Sequence, residues 1–208
     1  MTTSLKKVVI VDYKMGNVAS VKKAFEKLGA RVKISSTKND IGSAQYIVLP
    51  GVGAFGEGIS NLKKLGLIDI LSKSVLKKRV PFLGICIGMQ LLADTGYEFG
   101  KHDGLGWIKG ETIKLKSTNL PHIGWNNIKT KSNKLFSDLP DNNFYFVHSY
   151  FLKPADKSIV TSTCNYDQVF SSSIQKDNIF ATQFHPEKSQ LAGLKVLGNF
   201  LSYTHAKN

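Results

Sequence analysis

The chain has 208 residues, 42% hydrophobic and 21% charged, with a formal net charge of +13. This is the composition of one globular domain spanning 1–208, and it excludes a disordered chain. Two cysteines, Cys86 and Cys164, exclude a disulfide scaffold, and the absence of a long apolar run speaks against a membrane span. A reducing, cytoplasmic setting is therefore expected.

The first strand is expected from Lys7 to Tyr13, an apolar run of the kind buried on both faces of a parallel sheet. In Met1–Val11 the lysines precede a Val-Val-Ile-Val run too short for the apolar region of a signal peptide, so a buried strand is expected there. Asn17 is placed to cap a helix that runs to about Leu28, with Val18, Val21, Phe25 and Leu28 on one face and Gly29 as its stop. Arg31–Ser35 and Gln45–Leu49 read as strands, the latter stopped by Pro50. A glycine loop follows, then one amphipathic helix to about Lys78, then a strand over Pro81–Ile85. Strands separated by helical crossovers predict an α/β fold with a mostly parallel sheet flanked by helices.

The second half changes character. Trp107–Leu115, Ile123–Ile128, Phe144–Phe151, Ser158–Cys164, Val169–Gln175 and Ile179–Phe184 read as closely spaced strands, adding antiparallel pairs to the sheet. A final helix is expected over Gln190–Tyr203.

The charge alone would suggest a nucleic-acid binder. Yet 26 of the 28 basic residues are lysines, and only Arg31 and Arg79 could fork onto phosphates or guanines. Residues 1–80 carry +10 and residues 81–208 only +3. Solvated lysine faces on helices account for this, and no reader motif supports a nucleic-acid partner.

Gly84-Ile-Cys86-Ile-Gly88 marks a strand turning sharply into a helix, a nucleophile elbow with cysteine at its apex. The glycines suit a turn too tight for side chains, and the helix N-terminus favours a thiolate and can hold an oxyanion. His185 in Phe184-His-Pro-Glu187 is the base that this cysteine needs. The segment is expected to close a strand, where Glu187 shares the face of His185 and can reach back to fix its tautomer. His102 and His205 read as solvated, while His122 and His148 fall in strands. No histidine pair has metal-ligand spacing, so neither metal nor cofactor is expected. Gly51-Val-Gly-Ala-Phe-Gly56 matches a dinucleotide fingerprint literally, but it follows the third strand and lacks the acid about 20 residues on. Beside an elbow cysteine, an oxyanion loop is the simpler use.

Together the elbow, the His-x-Glu ending and the Pro50-Gly-Val-Gly53 loop resemble the class I glutamine amidotransferases. Pro121-His-Ile-Gly-Trp125-Asn, Phe144-Tyr-Phe-Val-His-Ser-Tyr150 and Gln183-Phe-His-Pro-Glu-Lys-Ser189 are similar to segments of the glutaminase subunits of imidazole glycerol phosphate synthases. The similarity runs from about Val8 to Phe200. It implies Cys86 as nucleophile, His185 as acid/base and Glu187 as its orienter. It implies oxyanion N–H groups from Val52 and Ile87, and substrate contacts from Gly53, Gln90, Ser149 and Tyr150. Trp125, Tyr145 and Lys188 would face a (β/α)8-barrel cyclase that receives ammonia through an internal passage. Glutaminase activity would stay low until that partner binds ligand, with the Val52 peptide reorienting. The chain would hold a glutaminase and no synthase. One departure, Gly96-Tyr-Glu-Phe-Gly100 followed by Gly104-Leu-Gly-Trp107, is similar to paralogues that serve surface-sugar amidotransferases. The identity of the synthase is left open at this point.

Overall fold

The computed structural model describes residues 5–204. The chain forms β1 (Lys7–Val11), α1 (Val18–Lys27), β2 (Arg31–Ser35), α2 (Lys38–Gly42), β3 (Tyr46–Gly51), α3 (Phe55–Lys64), α4 (Ile68–Ser72), β4 (Phe82–Cys86) and α5 (Ile87–Gln90). Then follow β5 (Thr95–Gly96), β6 (His102–Asp103), β7 (Gly110–Lys114), β8 (His122–Thr130), β9 (Asn143–His148), β10 (Tyr150–Pro154), β11 (Val160–Tyr166), β12 (Gln168–Lys176), β13 (Ile179–Thr182) and α6 (Gln190–Ser202).

A nine-stranded sheet runs in the order β2-β1-β3-β4-β13-β12-β11-β8-β9. Neighbours are parallel from β2 through β13 and antiparallel from β13 onward. The architecture is the expected α/β one, with the antiparallel strands in the second half. A second, four-stranded sheet, β10-β7-β5-β6, packs its β10 on β12, with Phe151 against Phe170. β3 and β4 are buried along their whole length, which is why they read as unbroken apolar runs. Asn17 caps α1 by accepting the Ser20 N–H at 3.2 Å, and Val21, Ala24 and Phe25 are its buried face. Phe200 of α6 packs edge-on against Phe25, Tyr46 and Phe180, joining two helices to the sheet.

Several boundaries differ from the sequence reading. Pro50 does not stop β3; it pairs opposite Ile85 within the strand. Pairing with β1 ends at Val48, so at Pro50 only one side of β3 still has a partner, and a missing N–H is tolerated. The single helix expected to Lys78 is divided. Gly66 takes a left-handed φ of 63° after α3, and a π-helical turn (Lys73–Lys77) follows α4. Helix α2 had no apolar periodicity to announce it. Of Trp107–Leu115 only β7 is a strand. The run Phe144–Phe151 is broken at Ser149, because β9 pairs with β8 and β10 pairs with β7 in the other sheet. His102, expected in a solvated loop, forms β6 and packs on α3: a Cβ on Gly56 would come within 2.7 Å of its ring. His205 lies outside the described residues.

Candidate active site

Three adjacent parallel strands deliver the site at their carboxyl ends. In the ladder Gly51 of β3 pairs with Cys86 of β4, and Thr182 of β13 pairs with Ile85. The glycine loop, Cys86 and His185 therefore emerge side by side, although they are far apart in sequence. Ligands of open α/β sheets bind at this edge.

Cys86 holds φ 55° and ψ −109°, a conformation that costs a non-glycine residue about 1–3 kcal/mol and that marks the elbow. The two glycines are required by contact. A Cβ on Gly84 would lie 2.6 Å from the Gly88 carbonyl oxygen, and one on Gly88 would lie 1.8 Å from that of Leu49. The cysteine is buried, yet it opens into a small cleft of about 130 Å³. Val52, Gly53, Ile87, Gln90, Ser149 and Tyr150 line that cleft with it, so every expected oxyanion and substrate residue arrives there. Glu98, Val147 and His148 complete the lining.

His185 and Glu187 are both almost wholly buried, with His185 Nδ1 at 2.8 Å from Glu187 Oε1. Their alignment has a different origin from the one expected. β13 ends at Thr182, and Pro186–Lys188 forms a 3₁₀ turn that folds Glu187 back onto the imidazole. Burial pulls the His185 pKa down, but Cys86 and Glu187 outweigh it and hold the pKa well above the ordinary histidine value. His185 Nε2 is buried without a hydrogen-bond partner, and Cys86 lies near enough to raise the imidazole pKa. Cys86 Sγ receives the Gln183 side-chain amide at 3.6 Å and lies 3.8 Å from the Val147 carbonyl oxygen.

Gln90 is fixed by its amide nitrogen, which donates to the Tyr150 carbonyl at 2.9 Å and to Gln183 Oε1 at 3.1 Å. Its own Oε1 is buried without a partner. Three of the five such orphaned side-chain atoms among the described residues belong to this cluster: Gln90 Oε1, His185 Nε2 and Glu187 Oε2. Buried polar atoms are normally paired, so a group of unpaired ones marks a place prepared for a ligand.

Sequence reasoning missed two residues here. Glu98 accepts the Phe55 backbone N–H at 2.9 Å, and burial pushes its carboxyl above the usual range. It is the one acid lining the cleft. Gln183 ties Gln90 to Cys86. Both sat inside quoted segments, but nothing local announced their direction.

Trp125, Tyr145 and Lys188 form one cluster. Trp125 pairs opposite Tyr145 across β8 and β9, their rings 6.0 Å apart edge to face, and Lys188 Nζ lies 5.5 Å from the Tyr145 ring. Trp125 and the nearby Ile123 are exposed. The Tyr145 carbonyl accepts the His185 backbone N–H at 2.9 Å, so this cluster holds the histidine directly. Among the described residues, no three His, Cys, Asp or Glu side chains gather as metal ligands, and no helix is long and apolar enough to cross a membrane.

Fold and site define an α/β protein with a Cys–His–Glu cluster at the carboxyl edge of its parallel strands, the arrangement that a cysteine nucleophile requires. The family model "Glutamine amidotransferase class-I" matches residues 9–202, and the chain belongs to that family. It is 47% identical over 198 residues to the imidazole glycerol phosphate synthase subunit HisH 1 of Campylobacter jejuni, covering 93% of this chain and 98% of the relative. It is 47% identical over 196 residues to the subunit HisH of Aquifex aeolicus, covering 92% and 94%. The structure of PurLQS from Thermotoga maritima shares the fold, with a TM-score of 0.76 and 19% identity over 96% of this chain and 99% of that one.

Proposed function

We propose that the chain is the glutaminase subunit of an imidazole glycerol phosphate synthase. It hydrolyses glutamine to glutamate and ammonia and passes the ammonia to a partner subunit. The reading is carried by Cys86, which opens into the cleft beside Gln90 and whose neighbour is the buried His185–Glu187 pair. The pathway assignment is supported by the names of the relatives, which favour histidine biosynthesis over a surface-sugar synthase.

In this reading Cys86 attacks the side-chain amide carbon of glutamine. Backbone N–H groups of Val52 and Ile87, with Gly53 giving the loop its freedom, receive the oxyanion. His185, kept protonated beside Glu187, hands its proton to the departing ammonia and leaves a γ-glutamyl thioester. Water, activated by the same imidazole, attacks the thioester and releases glutamate. Glu98 meets the α-ammonium of the substrate, which would answer the desolvation of its carboxyl; Ser149 and Tyr150 take the α-carboxylate end. Trp125, Tyr145 and Lys188 dock a (β/α)8-barrel cyclase, and an internal passage keeps ammonia from protonation in bulk water.

The test is glutamate release from free glutamine, alone and with a cyclase subunit and its nucleotide. The expected result is a low basal rate that rises on adding both. Turnover that persists in Cys86→Ala would overturn the mechanism, and a high rate indifferent to the cyclase would overturn the partner.

A further inference from the structure

Behind the cleft wall lies a hydrogen-bonded chain of side chains whose direction is decided by its ends. Asn126 Nδ2 donates to the Asn165 carbonyl at 3.0 Å, and Asn126 Oδ1 accepts the Asn127 N–H at 2.8 Å, so the amide orientation is fixed. The same Nδ2 reaches His122 Nε2 at 3.3 Å, which must accept. His122 Nδ1 lies 3.1 Å from His148 Nε2, and His148 Nδ1 lies 2.9 Å from the Tyr150 carbonyl oxygen. A carbonyl only accepts, so His148 Nδ1 carries a proton. A neutral His148 then accepts at Nε2, and His122 must donate from Nδ1. Reasoning from either end gives the same assignment. Both rings are buried, and burial pushes both pKa values down, to about 4 for His122 and about 3 for His148, which keeps them neutral.

The chain ends on the carbonyl that also receives Gln90 Nε2. His148 and Tyr150 line the cleft, whereas His122 does not. His122 is stacked between Phe146 and Tyr166, with centroids 4.8 and 4.0 Å away, so its ring plane is set by packing.

We infer that His122 is a positioning residue for glutamine binding: its Nδ1–H gives the buried His148 Nε2 a donor and so holds in place the imidazole whose Nδ1–H fixes the Tyr150 carbonyl and, through it, Gln90. Without the His122 donor, His148 Nε2 is left buried and unpaired, a cost the ring relieves by turning away, and its hold on the Tyr150 carbonyl at that wall of the cleft loosens. The positioning role rests on the glutaminase reading, but the tautomer does not.

The experiment uses the full chain labelled with ¹⁵N-histidine, read by long-range ¹H–¹⁵N correlation, beside glutamine kinetics with the cyclase and its nucleotide. Wild type should show His122 and His148 both protonated on Nδ1. His122→Phe keeps the aromatic stack and removes the donor. It should shift the His148 Nε2 resonance, whose lone pair has lost its donor, and raise KM for glutamine about five- to tenfold, as loss of one buried hydrogen bond would, with kcat little changed. His122→Asn returns a donor near the Nδ1 position and should restore KM. An Nε2–H tautomer on either ring in wild type would overturn the assignment, whatever the variants do. Unchanged KM in His122→Phe, or equal impairment in Phe and Asn variants, would overturn the positioning role. A wild-type complex that did not hydrolyse glutamine would overturn the glutaminase reading while leaving the tautomer test intact.

Discussion

His185 Nδ1 and Glu187 Oε1 stand 2.8 Å apart in surroundings that exclude water, with side chains only 3% and 2% exposed. In so dry a setting the imidazole keeps its charge only because Glu187 and Cys86 neutralise it. Its pKa is raised above the unfolded value, so its proton, the one given to ammonia in the proposed reaction, is held through neutral pH and lost as pH rises through the folded value. The stability contributed by this pair has the same sign: full below the unfolded histidine pKa and lost on the alkaline side. Glu187→Gln removes the charge that supports the imidazolium. The alkaline limb of kcat/KM should move to lower pH, and kcat should fall on the order of 10²–10⁴-fold. An unmoved limb in a full pH–rate profile would contradict the role of Glu187.

The two cysteines should part company under alkylation. Burial pushes the Cys164 thiol up to about 12, and its sulfur has only a weak 4.0 Å contact with the Asn165 carbonyl. Iodoacetamide at neutral pH should label Cys86 alone, and labelling should abolish turnover. Cys164→Ser should be close to silent in kinetics. Mass mapping of the modified peptide decides it; modification of Cys164 first would mean that the wrong thiol was chosen.

Glu98 separates recognition from chemistry. Glu98→Gln keeps an acceptor for the Phe55 N–H but removes the charge offered to an α-ammonium group. A charge-assisted hydrogen bond is worth about 1.5–3 kcal/mol, so KM for glutamine should rise about ten- to a hundredfold with kcat within a few fold. Steady-state kinetics check this; an unchanged KM would place the ammonium elsewhere.

Glycine substitutions should divide by mechanism. Gly88→Ala drives a methyl group to 1.8 Å from a backbone oxygen, which neither partner can relieve by changing rotamer. It should destabilise the fold by more than the about 1–3 kcal/mol of ordinary overpacking and erase activity. Gly29→Ala has open space around it but sits at φ 78°, so it should cost only about 1–2 kcal/mol and leave kinetics alone. Urea denaturation and glutamine turnover on both variants provide the comparison.

Val8 to Val11, Tyr46 to Leu49 and Phe82 to Ile85 declared themselves as buried parallel strands because strands covered on both faces need apolar side chains at every position. Gly84, Cys86 and Gly88 declared the elbow because a tight turn excludes side chains locally. Such features depend on neighbours in sequence, and sequence alone determined them. It also determined the family, through segments whose residue order is distinctive.

What lay beyond it was every relationship made by distant pairing. That Phe144–Phe151 breaks at Ser149 follows from β9 and β10 finding different partner strands. That Glu98 enters the cleft follows from Phe55 offering it an N–H, and that His122 speaks to the site follows from His148 lying across the strand pair. Sequence determined which chemical groups were present and which backbone turns they required. Only the tertiary structure decided which buried donors and acceptors meet, because the direction of a hydrogen bond is set by both ends at once and the ends lie in different parts of the chain.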